Sequence, residues 1–423
     1  MIRIALAGAL ALGIVPSHAA TRYVRAGKLV DVERGRVLDD QLIRIVDGRV
    51  AAWTPFTTAP GDGPLTDWSA YQVLPGLIDM HTHLADYGTS ANVAEPLLHS
   101  AAELALRGAH NARLTLHAGF TSVRDVGTYR ALTDVALRDA IAAGYVEGPR
   151  MHVAGAYITV PGGGGAVTGF AADVQVPTDM AVGVVRNAQE AREKVRYLIQ
   201  HGADHIKMMA TGAVLAVGTE PGRPELSLEE MQAACDEAAR NGSYCLAHAH
   251  GAEGIKNAIR AGARSIEHAS LIDAEGIALA KARGVWLDMD IYDGDYIEEY
   301  GTRQGWEAGY LRKNRETAQL QREAFTRALK AGVKLSFGTD EGVYPYGWNA
   351  RQFAYMVRYG MTPLQAIQSA TTVAAALLRA DGDVGSLSPG HYADMIAVKG
   401  DATADVGTLE HVEHVMKGGT LVR

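Results

Sequence analysis

The run Pro75-Gly76-Leu77-Ile78-Asp79-Met80-His81-Thr82-His83 is apolar and ends in two histidines separated by a single residue. In an extended strand residues i and i+2 point to the same side, so His81 and His83 can both aim at one metal ion. Further ligand-type residues follow, each at the end of a strand-like run: Lys207 within Asp204-His205-Ile206-Lys207-Met208-Met209, His248 after Tyr244-Cys245-Leu246-Ala247, His268 after Ser265-Ile266-Glu267, and Asp340 after Phe337-Gly338-Thr339. Imidazole and carboxylate together suit Zn²⁺ or a similar first-row ion. Lys207 is the odd member, because a lysine buried in an apolar strand is costly unless it is neutral or paired. Either it stretches to a surface carboxylate, or its neutral amine has reacted with CO₂ to give a carbamate that bridges two metals. Without the carbamate, the histidines and Asp340 can still hold one ion with room for water.

These residues need elements that bring them together. From residue 73 to about 380, short apolar runs alternate with amphipathic helical stretches, the pattern of parallel strands with crossover helices. The strand candidates are Val73–Met80, Thr121–Asp125, Arg150–Gly155, His205–Met209, Tyr244–His248, Ser265–His268, Val285–Asp290 and Lys334–Gly338. Ser227-Leu228-Glu229-Glu230 is a capping box, and Thr362-Pro363 gives an N-cap followed by proline at the first helical position. The pattern predicts an α/β fold, a (β/α)8 TIM barrel over residues 75–380, with its site at the C-terminal ends of the strands. Residues 20–74 and 381–423 have short strands and turns, including the hairpin dipeptide Asp47-Gly48, and are expected to pair into one small β-sandwich domain.

The chain has 423 residues, 48% hydrophobic and 21% charged, with a formal net charge of −8. That composition suits a globular protein and argues against a nucleic-acid footprint. Arg3, the apolar run Ile4 to Val15, and Ser17-His18-Ala19 have the form of a signal peptide over residues 1–19. An exported protein, periplasmic or secreted, is expected, with no membrane span because the apolar run is too short. Cys235 and Cys245 are the only cysteines. On the apolar face of a helix and in the following strand, they are expected to be two buried thiols rather than a bridge.

Taken jointly, His81-Thr82-His83, Ile206-Lys207 with Ala210-Thr211-Gly212, His248-Ala249-His250-Gly251, Ile266-Glu267-His268, Gly338-Thr339-Asp340, and Pro389-Gly390 with Ala393-Asp394 resemble the metal-dependent amidohydrolase superfamily. The match is closest to the imidazolonepropionase-like and Xaa-Pro dipeptidase-like branch, which includes secreted carboxypeptidases and ochratoxin-hydrolysing amidohydrolases. The resemblance implies two Zn²⁺ ions, or similar divalent ions. His81, His83 and Asp340 would hold the more buried ion, His248 and His268 the more exposed one, and carboxylated Lys207 would bridge them. A metal-bridging water would be the nucleophile, and Asp340 would carry its proton to the leaving amine. The implied substrate is a dipeptide or N-acyl amino acid, cut beside its free carboxylate; an aromatic acyl group on phenylalanine falls in this class. Relatives are often homo-oligomers, so a homo-oligomer is expected.

For substrate binding, position nominates His250 (carbonyl or carboxylate, with a structural histidine as the alternative), Gly163 and Gly164 in Pro161-Gly162-Gly163-Gly164-Gly165, and Val214 and Leu215 after the fourth strand. Asp290, Tyr292 and Asp293 after the seventh strand are specificity candidates, and Tyr344 and Tyr346 are weaker ones. Dipeptidase-like relatives carry a histidine near the glycine run, where this chain has only glycines, so no such histidine is carried over. The alternatives are ring opening of a cyclic amide or deamination, for which Glu253 is a weak signal, and a non-enzymatic assembly protein, which the filled ligand positions disfavour.

Overall fold

A computed structural model describes residues 21–86, 88 and 92–423; the expected signal peptide lies outside them. The described chain opens with β1 (Thr21–Asp31), β2 (Arg36–Val46), β3 (Arg49–Pro55) and β4 (Leu65–Pro75). The alternating section then carries β5 (Leu77–Thr82), β6 (Phe120–Asp125), β7 (Arg150–Val153), β8 (Tyr157–Ile158), β9 (Ile206–Met209), β10 (Cys245–Gly251), β11 (Ser265–Leu271), β12 (Trp286–Asp288) and β13 (Leu335–Ser336). The chain closes with β14 (Met395–Val398), β15 (Val412–Lys417) and β16 (Thr420–Leu421).

β1 to β4 and β14 to β16 form one seven-stranded sheet in the order β16-β15-β14-β4-β1-β2-β3. The two ends of the sequence therefore meet at β4 and β14, where Leu74 faces Ile396 across an antiparallel ladder. Val24, Leu29, Ile43, Val73, Ala397 and Met416 make the apolar core of this sheet. Asp47 and Gly48 form the β2–β3 turn with φ of 49° and 76°, the paired positive φ that a tight hairpin of this hand requires.

The expected first strand, Val73–Met80, is in fact two. Val73–Pro75 ends β4 and Leu77 starts β5, so the chain passes between sheets at Gly76. A Cβ at Gly76 would lie 2.1 Å from the Thr121 hydroxyl, so only glycine lets the chain pass this close to β6. The expected third strand, Arg150–Gly155, stops at Val153, and a separate short strand, β8, follows it. Gly155 takes φ of 78°, and the buried Asp134 carboxylate accepts hydrogen bonds from the Ala154 and Gly155 amides at 3.1 and 2.7 Å. That bend lets β7 pair with β6 while β8 pairs with β9. The result is an α/β fold with two parallel sheets, β5-β6-β7 and β8 through β13. The first and last of these strands lie side by side: the Met80 amide donates to the Phe337 carbonyl at 2.9 Å, and Thr82 bridges Glu341 in parallel.

Helices join successive strands, and the expected start signals are present. Ser227 and Glu230 cap helix Leu228–Arg240 reciprocally, and Thr362 and Gln365 do the same for Pro363–Ser369. Ala247 and Ala249 of β10 pack with helix residues such as Ile255 and Ala258, which turns His248 and His250 to the opposite face. Among the described residues no helix is long and apolar enough to cross a membrane.

Cys235 and Cys245 form a disulfide, contrary to the expected pair of thiols. The turn from helix Leu228–Arg240 into β10 folds back sharply, with Gly242 at φ of 75°, and brings the two Cα atoms to 5.2 Å. That is bridging distance. Helix and strand periodicity placed each cysteine on a buried face but did not show that the two faces oppose each other.

Candidate active site

The ligand-type residues do converge. His81 lies near the end of β5 and His83 directly follows it, and their Nε2 atoms lie 3.4 and 3.1 Å from the same Asp340 oxygen, Oδ1. Donor atoms of His81, His268 and Asp340 fall within 4.8 Å of one another, and so do those of His248, His250 and His268. These overlapping groups share His268. Lys207 is buried on β9 and lines the same cavity. Burial lowers its amine to about 8, which raises the share of the reactive neutral form near neutral pH.

The ring orientations are set from outside. His83 Nδ1 lies 2.8 Å from the Gly127 carbonyl, His268 Nδ1 2.8 Å from Asp290 Oδ2, and His248 Nε2 3.2 Å from the Gly212 carbonyl. Each of these oxygens can only accept, so the facing nitrogen carries the hydrogen, and the opposite nitrogen has a lone pair when the ring is neutral. Burial alone would lower His83 and His268, but Asp340 beside the first and Asp290 beside the second outweigh it and raise those two rings above the ordinary imidazole value. Burial holds His81, His248 and His250 well below the ordinary imidazole value, with Lys207 adding to the effect on His81 and His268 adding to it on the other two. Burial alone would raise the Asp340 carboxyl, but His81, His83 and His268 outweigh it and keep it well below the usual range. Neutral imidazoles and an ionised carboxylate are the forms a divalent cation requires. His81 Nδ1 has no hydrogen-bond partner, its nearest acid being Glu267 Oε2 at 3.4 Å. The donor set fits one or more first-row divalent ions by nitrogen and oxygen chemistry.

Backbone conformation adds to this. His268, Ala269 and Asp340 take positive φ of 66°, 51° and 55°. Non-glycine residues in that region cost about 1–3 kcal/mol each and persist where surroundings over-determine them. Gln321 supplies part of that constraint, donating from Nε2 to the His268 carbonyl at 3.2 Å and to Asp290 Oδ1 at 2.8 Å. Asp79 supplies more: it accepts from the His81 amide at 3.0 Å, from the Thr339 hydroxyl at 2.6 Å and from Asn349 at 2.8 Å. It thereby ties the end of β5 to the residue before Asp340.

Of the expected substrate-contact residues, His250, Gly164, Val214 and Leu215 line the cavity, with Asp293 beside them. His250 Nδ1 pairs with the Ser270 hydroxyl at 2.8 Å. Gly163, Asp290 and Tyr292 do not line it. Asp290 is 1% exposed, with both oxygens committed to His268 and Gln321, so it positions a ring and is closed to substrate. Tyr292 packs with Ile297, Trp306 and Tyr344. Tyr346 sits behind the site, its hydroxyl donating to the His83 carbonyl at 3.2 Å. Sequence reasoning missed Asp79, Gln321 and Tyr157, whose hydroxyl lies 3.0 Å from both His83 Nδ1 and the Gly127 carbonyl. Only Asp79 left a signal, an acid two residues before the paired histidines inside an otherwise apolar run.

A parallel α/β sheet system thus carries at its strand ends a histidine, aspartate and lysine cluster that could hold metal ions. Residues 72–422 match the Amidohydrolase family. The chain is 32% identical to ochratoxinase of Aspergillus niger over 379 residues, 83% of this chain and 75% of that protein. A solved Xaa-Pro dipeptidase with methionine bound in its active site superposes with a TM-score of 0.89 at 35% identity, covering 95% of this chain and 99% of that one. A solved prolidase complexed with N-methylphosphonate-L-proline superposes with a TM-score of 0.89 at 28% identity, covering 96% of this chain and 100% of that one. The chain belongs to the amidohydrolase family and is a hydrolase.

Proposed function

We propose that the chain is a binuclear zinc amidohydrolase that cleaves an amide bond beside a free carboxylate, on dipeptides or N-acyl amino acids. Its scaffold in this reading is a (β/α)8 barrel over residues 75–380, its third strand ended by the bend at Gly155, beside a small β-sandwich built from residues 20–74 and 381–423. The observation that carries the reading is the convergence of His81 Nε2 and His83 Nε2 on Asp340 Oδ1, with His268 in the same cluster and Lys207 lining the same cavity. His81, His83 and Asp340 would hold one ion and His248 and His268 the other, with carboxylated Lys207 as their shared ligand.

The ions, when bound, supply Lewis acidity that makes water acidic near neutral pH and polarises a carbonyl. The chain does the rest. Asp340 takes the proton of the attacking water on a carboxylate oxygen and delivers it to the leaving nitrogen. Asp290 and Gln321 hold the His268 ring and backbone still. His250, with Ser270 against Nδ1, presents Nε2 to a substrate oxygen.

The relatives support the substrate class. Methionine and N-methylphosphonate-L-proline, bound in the two solved structures, both carry a free carboxylate. The ochratoxinase relative supports extending the range to aromatic acyl amino acids. Export through residues 1–19 and assembly as a homo-oligomer belong to the same proposal, which describes an enzyme that releases amino acids outside the cytoplasm.

The test is metal content per chain, measured alongside amino-acid release from a panel of dipeptides and N-acyl amino acids. Two zinc ions and release of the carboxylate-bearing amino acid are expected. Stoichiometrically loaded protein that releases nothing from the panel, but opens a cyclic amide or deaminates a ring, overturns the reading.

A further inference from the structure

Lys313 lies on helix Ala308–Ala331, is 2% exposed, and forms no salt bridge among the described residues. Its ammonium donates instead to three main-chain carbonyls of one loop: Ala213 at 2.9 Å, Ala216, and Thr219 at 3.3 Å. An ammonium has three hydrogens, so this tripod uses all of them. Thr219 closes the loop on itself: the Ala213 amide donates to its hydroxyl at 3.2 Å, and that hydroxyl lies 3.3 Å from the Ala213 carbonyl. Without the ammonium the Thr219 carbonyl would be buried and unpaired, and the Ala213 and Ala216 carbonyls would share the single long bond of the Thr219 hydroxyl, a deficit a loop avoids by opening toward water.

The braced loop forms a wall of the active-site cavity. Ala213, Val214, Leu215 and Ala216 all line it, together with Tyr310, one turn before Lys313 on the same helix, and Ile297. The glycine run packs against the loop, with Gly164 so close that a Cβ there would lie 3.1 Å from both the Ala213 amide nitrogen and its Cβ. The Gly164 amide is held by Glu225 at 2.8 Å. At its start the loop also carries the Gly212 carbonyl that orients His248.

We propose that Lys313 is a specificity-positioning residue. It shapes residues 213–216 into a rigid apolar cup that receives an apolar side chain of the substrate. This rests on the amide-hydrolase reading and deepens it: the preferred substrates carry a bulky aliphatic or aromatic group on one side of the scissile amide.

The experiment compares wild type, Lys313→Met, Thr219→Val and Leu215→Ala, each full-length and zinc-loaded. Substrates form a graded series in which one side chain grows from glycine to leucine to phenylalanine. For wild type, kcat/KM should rise along the series. In Lys313→Met the phenylalanine-to-glycine ratio of kcat/KM should fall roughly tenfold or more, through KM. Thr219→Val and Leu215→Ala should shift the ratio the same way by smaller factors. Limited proteolysis should cut Lys313→Met, and not wild type, within residues 213–219. An unchanged ratio in Lys313→Met, or an equal fall in kcat on every member, overturns the proposal. If Lys313→Met does not fold, Thr219→Val and Leu215→Ala decide by the same ratio. A wild type that turns over no member of the series overturns the amide-hydrolase reading and the cup with it, whereas turnover with an unchanged ratio overturns the cup alone.

Discussion

Removing Arg124 should destabilise the protein far more than removing Arg124 and its partner Glu267 together. Both side chains have no exposed surface. The guanidinium donates to the Met80 carbonyl at 2.7 Å, the Ser265 hydroxyl at 2.9 Å and Glu267 Oε2 at 2.8 Å, joining β5, β6 and β11. Arg124→Met keeps the apolar stem but strips the buried Glu267 carboxylate of its hydrogen-bonded guanidinium, at a cost of about 3–5 kcal/mol. The unpaired Met80 carbonyl adds about 1 kcal/mol. The Asp288 carboxyl, raised to about 7 by burial and then by Glu267, lies 4.0 Å from Arg124 and cannot replace it. Arg124→Met/Glu267→Leu removes both charges, and its cost falls to about 1–2 kcal/mol because a buried pair roughly breaks even against apolar replacements. A double-mutant cycle should therefore give a coupling of at least about 3 kcal/mol. Urea unfolding of zinc-depleted, full-length protein, followed by the fluorescence of its five tryptophans, measures it. An Arg124→Met cost under about 1 kcal/mol, or single costs that simply add in the double variant, would refute the reasoning.

Asp290→Asn should weaken zinc affinity about 10–100-fold through loss of the charge that orients His268, with the fold intact; competition with a chelator reads it. Asp340→Asn should retain some metal and lose nearly all turnover, and Lys207→Ala should lose the second ion; near-normal rates in either would count against the site. Cys235→Ala/Cys245→Ala should lose about 3 kcal/mol by the chain-entropy relation for a short loop, and denatured, unreduced wild type should show no titratable thiol. Lys417, which donates to the Gly148 carbonyl, is lowered to about 8 by burial and then by Arg150. Between about pH 8 and pH 10.5 the unfolded chain then holds more protons than the native one, so this group's penalty is present at neutral pH and relieved as pH rises. Lys417→Met should accordingly exceed the parent in stability at pH 7 by up to about 3 kcal/mol and lose the advantage above about pH 10.5; equal differences at both would refute the assignment.

Local periodicity carries much of the site without any tertiary information. Strand alternation placed His81 with His83 on one side, and an apolar run before each of Lys207, His248, His268 and Asp340 put them at strand ends, where the structure finds the cluster. The capping boxes at Ser227 and Thr362 and the Asp47-Gly48 turn were legible because each is a contact within a few residues. Tertiary structure decided the rest. Gly76 splits a continuous apolar run because Thr121, distant in sequence, fills the space beside it, and Asp134 bends the chain beyond the third strand, at Gly155, from another element. The Cys235–Cys245 bridge depended on how sharply one turn folds back. Asp290 and Gly164 sat at similar strand-end positions in the sequence, yet one became a buried support and the other a cavity wall. Lys313 resembles any lysine on an amphipathic helix until the loop 100 residues earlier brings it the Ala213 carbonyl. Side-chain direction follows from local backbone geometry, but what a side chain meets is set by packing between elements far apart in the chain.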